Sequence, residues 1–175
     1  MHTRALVATA LIAFAASLAG AAETSPFDPE TGYRIARYRA PTGANVPGGV
    51  RIDSQAVDRL VAEDGAVLID VMPAEGAGPD PVSGRWRVST QRHHIPGSHW
   101  LPDVGYGRLD PRMKRYFERN LARLSGASNA RALIFYCQAD CWMSWNAVKR
   151  AAELGYSHLY WYAEGTDGWR DLDRP

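Results

Sequence analysis

The sequence predicts an α/β fold: a single domain with a mostly parallel central sheet and helices on both faces. Three observations carry that expectation. The short apolar runs "AVLIDV" (66–71), "RALIFY" (131–136) and "HLYWY" (158–162) have the length and side-chain content of strands buried on both sides. Segments with apolar residues at helical spacing lie between them. Pro- and Gly-containing turns separate the two kinds of segment, so strands alternate with helices and pair in parallel beneath helical layers.

Residues 23–49 form a Pro/Gly-rich extension in which "YRIARYRA" (33–40) alternates enough to read as a strand. The domain proper is expected over residues 50–175. In "DSQAVDRLVAE", Asp53 or Ser54 caps a helix with Val57, Leu60 and Val61 on one face. Residues 72–93 contain Pro73, Gly76, Gly78, Pro79, Pro81 and Gly84, a long loop of the kind that is functional or mobile. "HIPGSHWLP" (94–102) reads as a turn leading into a short strand. The next helix opens with Asp110 as cap and Pro111 in its first turn, and aligns Met113, Phe117, Leu121 and Leu124. A helix over 143–154 places Met143, Ala147, Ala151 and Leu154 inward and stops at Gly155. "EGTDGWRDL" is a Gly-rich turn into a last short helix.

The first 22 residues read as a secretory signal: positive "MHTR", apolar "ALVATALIAFAASLAG", then small residues suited to cleavage after Ala21 or Ala22. The expected location is the periplasm, with no membrane attachment after cleavage. A formal charge of +1 gives no electrostatic basis for binding nucleic acid. Export also places the cysteines in a compartment where disulfides persist.

Only two cysteines are present, Cys137 and Cys141, within "CQADCW" where a strand meets a helix. Unpaired N–H groups and the positive end of the dipole gather at a helix start and favour a thiolate, the reactive form of the sulfur. A structural staple is the alternative. Closing so short a loop constrains the unfolded chain by only roughly 2 kcal/mol, which favours chemistry over stapling. Attachment of c-type haem requires C-x-x-C-H, and Trp142 stands where the histidine would be. No cofactor is expected. A metal site using these thiols with His93, His94 or His99 is a lesser reading, with copper(I) the best-suited ion and Met143 nearby.

The order of motifs resembles the rhodanese-like family: "VLIDV" (67–71), "HIPGSHWLP" (94–102), "LIFYC" (133–137) and "EGTDGW" (164–169). The stretch C-x-x-x-C-W followed by "MSWNAVKRA" further resembles an exported subgroup, the PQQ-dependent catabolism-associated CXXCW motif proteins. The resemblance implies a sulfurtransferase-type or thiol–disulfide activity. Its partner would be a periplasmic thiol or persulfide, or a quinoprotein alcohol dehydrogenase system. A non-catalytic accessory module for a redox cofactor, metal or dehydrogenase is the alternative. The persulfide-forming role falls on Cys137 and the resolving role on Cys141. The loop Gln138, Ala139, Asp140 and Trp142 would ring the sulfur with main-chain donors, beside Met143. Asp70 would support that loop by hydrogen bonding, while His94 and Gly97 would shape a turn. The family's usual Arg after Asp-Val is replaced by Met72, and the glycines and basic residues of its active loops are missing here. Arg85, Arg87, Arg92 or His93 would then supply positive charge. Trp142 and Trp145, three apart on a helix, either rim the cysteine pocket for a partner or pack beneath loop 72–93 with Trp86. Both sulfurs are expected to emerge at the mouth of a pocket crowning the sheet.

Overall fold

The chain builds its core on a five-stranded, all-parallel sheet in the order β1-β5-β4-β2-β3. The computed structural model describes residues 24–74, 78–80, 85–86 and 92–174; the expected signal segment and part of loop 72–93, Arg87 included, lie outside the described residues. The elements run β1 (Val50–Ile52), α1 (Ser54–Glu63), β2 (Val67–Asp70), β3 (His99–Trp100), α2 (Pro111–Ser125), β4 (Leu133–Tyr136), α3 (Trp142–Glu153), β5 (Leu159–Tyr162) and α4 (Gly165–Arg170). Among the described residues no helix is long and apolar enough to cross a membrane.

Local chemistry sets these boundaries. Asp53 caps α1 by accepting from the Ala56 N–H at 2.8 Å, and Asp110 caps α2 by accepting from Arg112 and Met113. Gly126, at φ 62°, ends α2 in the left-handed region. Helix α3 has no side-chain cap. Its first N–H, that of Trp142, donates instead to the Tyr38 carbonyl at 2.9 Å, from the N-terminal extension.

Successive residues of a strand face opposite sides, and β4 shows it. Leu133, Phe135 and, just beyond the strand, Cys137 join the cluster that packs under α2 and α3 around Phe117, Leu121, Ala147 and Trp161. Ile134 and Tyr136 join the opposite cluster, with Val57 of α1, Tyr162 and the flanking Trp169 of α4. The expected helices on both faces are present. The strand order reverses between β2 and β4, so a crevice opens beyond their carboxyl ends. Asp70 ends one strand and Cys137 follows the other.

Three expectations differ. Residues 33–40 are not a strand: only isolated bridges form, Phe27 with Arg34 and Arg39 with Cys141. Arg34 is buried there, and the segment's main chain bonds to α3 and its preceding loop, not to a neighbouring strand. The edge strand β1 is too short and exposed for alternation to reveal it, with Val50 59% exposed. Val61 and Leu154 face solvent; Leu154 is already the C-cap of α3, where the helical stripe has ended.

Candidate functional site

Cys137 and Cys141 are joined as a disulfide, their Cα atoms 6.3 Å apart, inside the range such bonds span. The expected open mouth is absent: Cys137 is 0% exposed and Cys141 3%. The expected ring of donors also differs. The Ala139 N–H donates to Asp167 at 3.0 Å and the Trp142 N–H to Tyr38, so these loop amides serve other acceptors. Asp140 is exposed and holds φ 53°, giving the loop the left-handed turn that a glycine supplies at no steric cost. Behind the loop the Thr166 N–H donates to the Cys137 carbonyl at 3.0 Å. A Cβ on Gly165 would meet that carbonyl oxygen at 2.3 Å, so only glycine fits.

The N-terminal extension packs over the cysteine loop, whose sulfurs lie in the core cluster. Ala40 donates its N–H to the Asp140 carbonyl at 3.0 Å, Arg39 bridges Cys141, and the Arg39 guanidinium reaches the Ala139 carbonyl. Asn146, fully buried on α3, accepts from the Arg34 N–H and donates to the carbonyls of Arg34 and Gly105. Arg34 lies 4.6 Å from the Trp142 ring, and Phe27 packs edge-on against Trp142 and Trp145. Trp145 donates to the Asn45 carbonyl. Both tryptophans are therefore buried under the extension, and among the described residues their ring partners come from it and from each other, where rimming an open pocket or packing under loop 72–93 was expected. Trp86 lies elsewhere, against Trp100 and Tyr116. Met143 is buried against Gly105, where a Cβ would come within 2.5 Å of its own.

On the other side of the same loop lies a cavity of ≈320 Å³ that contains neither cysteine. Gln138 borders it, with Met72, Ile95 and Trp169 as apolar walls and Arg92, Arg170 and Arg174 as cationic ones. Asp70 is fully buried nearby. Its carboxylate accepts from the Met72 N–H at 2.8 Å and from Arg92 at 3.1 Å, and lies 2.6 Å from His94 Nδ1. It thus braces segment 92–94, and its hydrogen bonds among the described residues go there and to Met72, not to the cysteine loop where its support was expected. His94 is held in that brace, and Gly97, at φ 78°, makes the turn. Beneath them the Tyr136 hydroxyl accepts from the Ile95 N–H and donates to Ser98; burial, with the Asp70 charge, pushes its phenol well up from its usual range. Among the described residues no cluster of three or more His, Cys, Asp or Glu could hold a metal.

Phe27, Arg34, Tyr38, Asn146 and Asp167 were not foreseen. The alternation of residues 33–40 suggests a strand and does not betray what the segment covers, and a buried Asn reads like any helix residue. Only the closing "EGTDGW" turn marked the neighbourhood of Asp167.

A parallel sheet with helices on both faces and a cysteine just past its central strand defines a class of α/β domain. The chain belongs to the rhodanese-like domain family, which it matches over residues 53–172. No curated protein matches it. Among solved structures, a variant of EanB in complex with ergothioneine is 18% identical with a TM-score of 0.50, covering 71% of this chain and 31% of that one. The polysulfide-sulfur transferase homodimer from Wolinella succinogenes is 19% identical, TM-score 0.46, covering 73% of this chain and 77% of that one. The Alr3790 protein from Anabaena sp. is 16% identical, TM-score 0.45, with 71% and 77% covered. The chain spans under a third of the length of the EanB chain, and these likenesses concern the fold.

Proposed function

We propose that this rhodanese-like protein performs persulfide or thiol–disulfide chemistry through Cys137 and Cys141. The observation that carries it is the bond between the two sulfurs, placed where β4 hands over to α3. In the cycle, the Cys137 thiolate accepts a sulfane sulfur while the donor's leaving group departs. The Cys141 thiolate then attacks Cys137 Sγ, expelling hydrosulfide and closing the disulfide. A partner dithiol restores both thiols and is itself oxidised to a disulfide, so electrons balance. Because both sulfurs are buried, each round requires residues 37–40 to lift from the loop. Export to the periplasm rests on the apolar N-terminal stretch. A tie to PQQ-dependent alcohol oxidation, with a thiol, persulfide or quinoprotein dehydrogenase partner, rests on the resemblance of "CQADCWMSWNAVKRA".

The burial of both sulfurs favours a second reading, a passive disulfide in a non-catalytic accessory module. In that module a copper(I) ion needs the reduced pair, since bonded sulfurs offer no thiolate. One experiment separates the readings. The reduced protein and its Cys141→Ser variant are treated with polysulfide and their masses measured. Exchange chemistry predicts an added sulfur retained on Cys137 in the variant and conversion to the disulfide in the parent. Unmodified Cys137 in both proteins rejects it.

A further inference from the structure

We infer that the cavity on the far side of the cysteine loop is a binding site for a small amphiphilic organic anion: a carboxylate head on an apolar body. Three observations converge. First, arginines 92, 170 and 174 line the cavity, and among the described residues no carboxylate does. The acids that pair with them stand outside it: Asp70 with Arg92, Asp167 with Arg170, Asp58 with Arg174. Second, Arg92 commits Nη2 to Asp70, while its Nη1 is buried with no acceptor among the described residues. A buried guanidinium N–H without an acceptor is costly, and Arg92 carries one at the edge of the cavity. Arg170 similarly directs Nη2 to Asp167 and Nε to the Thr166 carbonyl. The guanidiniums of Arg92, Arg170 and Arg174 are the cations offered to the head.

Third, the lining has an apolar part beside its polar residues His93, His94, Gln138 and Thr166. Met72, Ile95 and Trp169 face the same space, and Arg174 lies 4.5 Å from the Trp169 ring, which stiffens that wall. A compact inorganic oxoanion would leave this surface wet and most of the ≈320 Å³ unused. An anion with an apolar body fills it, in keeping with the mixed lining of small-molecule sites. Gln138 and Thr166 stand at the border as further polar partners.

The site faces away from the sulfurs and does not depend on the proposed exchange chemistry, so either can fail without the other. The test is calorimetric titration of the full chain with hexanoate, acetate and thiosulfate at matched ionic strength. Hexanoate is expected to saturate one site and to bind about tenfold or more tighter than acetate, from the burial of its added methylenes. Arg92→Gln is expected to weaken hexanoate about tenfold, the effect of losing a charge-assisted hydrogen bond. Because Arg92→Gln also removes a partner of Asp70, Arg170→Gln, at an exposed side chain, is the second variant and is expected to weaken binding in the same direction. A Cys137→Ala/Cys141→Ala protein is expected to bind hexanoate as the parent does. No saturable hexanoate binding, tighter binding of thiosulfate than of hexanoate, or unchanged affinity in both arginine variants overturns the site.

Discussion

The two sides of the loop after β4 make opposite use of the same stretch of chain. On the α3 side, a disulfide lies buried in the core cluster, with the N-terminal extension packed against the same cluster. On the α4 side, a step of one residue to Gln138 reaches a cavity walled by arginines. The strand's alternation produces the difference: Tyr136 turns one way, Cys137 the other. A buried disulfide and an arginine-lined cavity therefore flank one loop on opposite sides. The extension adds the rest, because its main chain caps α3 and pairs with the loop where the domain has no cap of its own.

Each side has a residue whose loss breaks it. Asp70→Ala leaves Arg92 and His94 without their buried acceptor and is expected to cost about 3–5 kcal/mol, read from urea unfolding. Hexanoate binding is expected to fall with it. Asn146→Ala strands the Arg34 main chain and the Gly105 carbonyl, at a cost of about 3 kcal/mol. It is expected to speed reduction of the disulfide by dithiothreitol while leaving hexanoate affinity intact. Equal effects of both variants on both readouts would erase the distinction between the sides.

Tyr136→Phe is expected to cost about 2 kcal/mol through two lost hydrogen bonds beneath the cavity. It also carries a pH signature. The folded pKa of this phenol is raised above its unfolded value of about 10. Its contribution is therefore complete below pH about 10 and is lost as pH rises through the folded value. Stability measured across that range should decline less in Tyr136→Phe than in the parent. Smallest is Arg34→Ala, which removes hydrogen bonds to the Ala36 and Arg37 carbonyls and contacts with the Phe27 and Trp142 rings, at a cost of about 1–2 kcal/mol. Reduction of the disulfide is expected to quicken by about fivefold, if opening of the extension limits it.

Much of the fold was legible because its strands and helices carry strong local signals. The Asp53 and Asp110 caps, the apolar runs of β2, β4 and β5, and the facing Phe117 and Leu121 all stand where pattern places them. The site was legible only in part. That Cys137 and Cys141 sit together at a strand end follows from their spacing. Their burial does not, because it arises from contacts more than a hundred positions away in sequence, such as Arg34 with Asn146. Asp70 was found by its motif, yet its partners lie on a turn that no periodicity predicts. Trp142 and Trp145 share one surface as their spacing implies; what covers that surface is a segment whose alternation suggests a strand it does not form.

The reduction potential of the Cys137–Cys141 pair, obtained by equilibrating the full chain with a dithiothreitol redox buffer and trapping free thiols, tests the central claim most directly. Exchange chemistry predicts a potential above about −300 mV, open to reduction by a cellular dithiol. A value below about −300 mV would mark the bond as a staple and contradict the account.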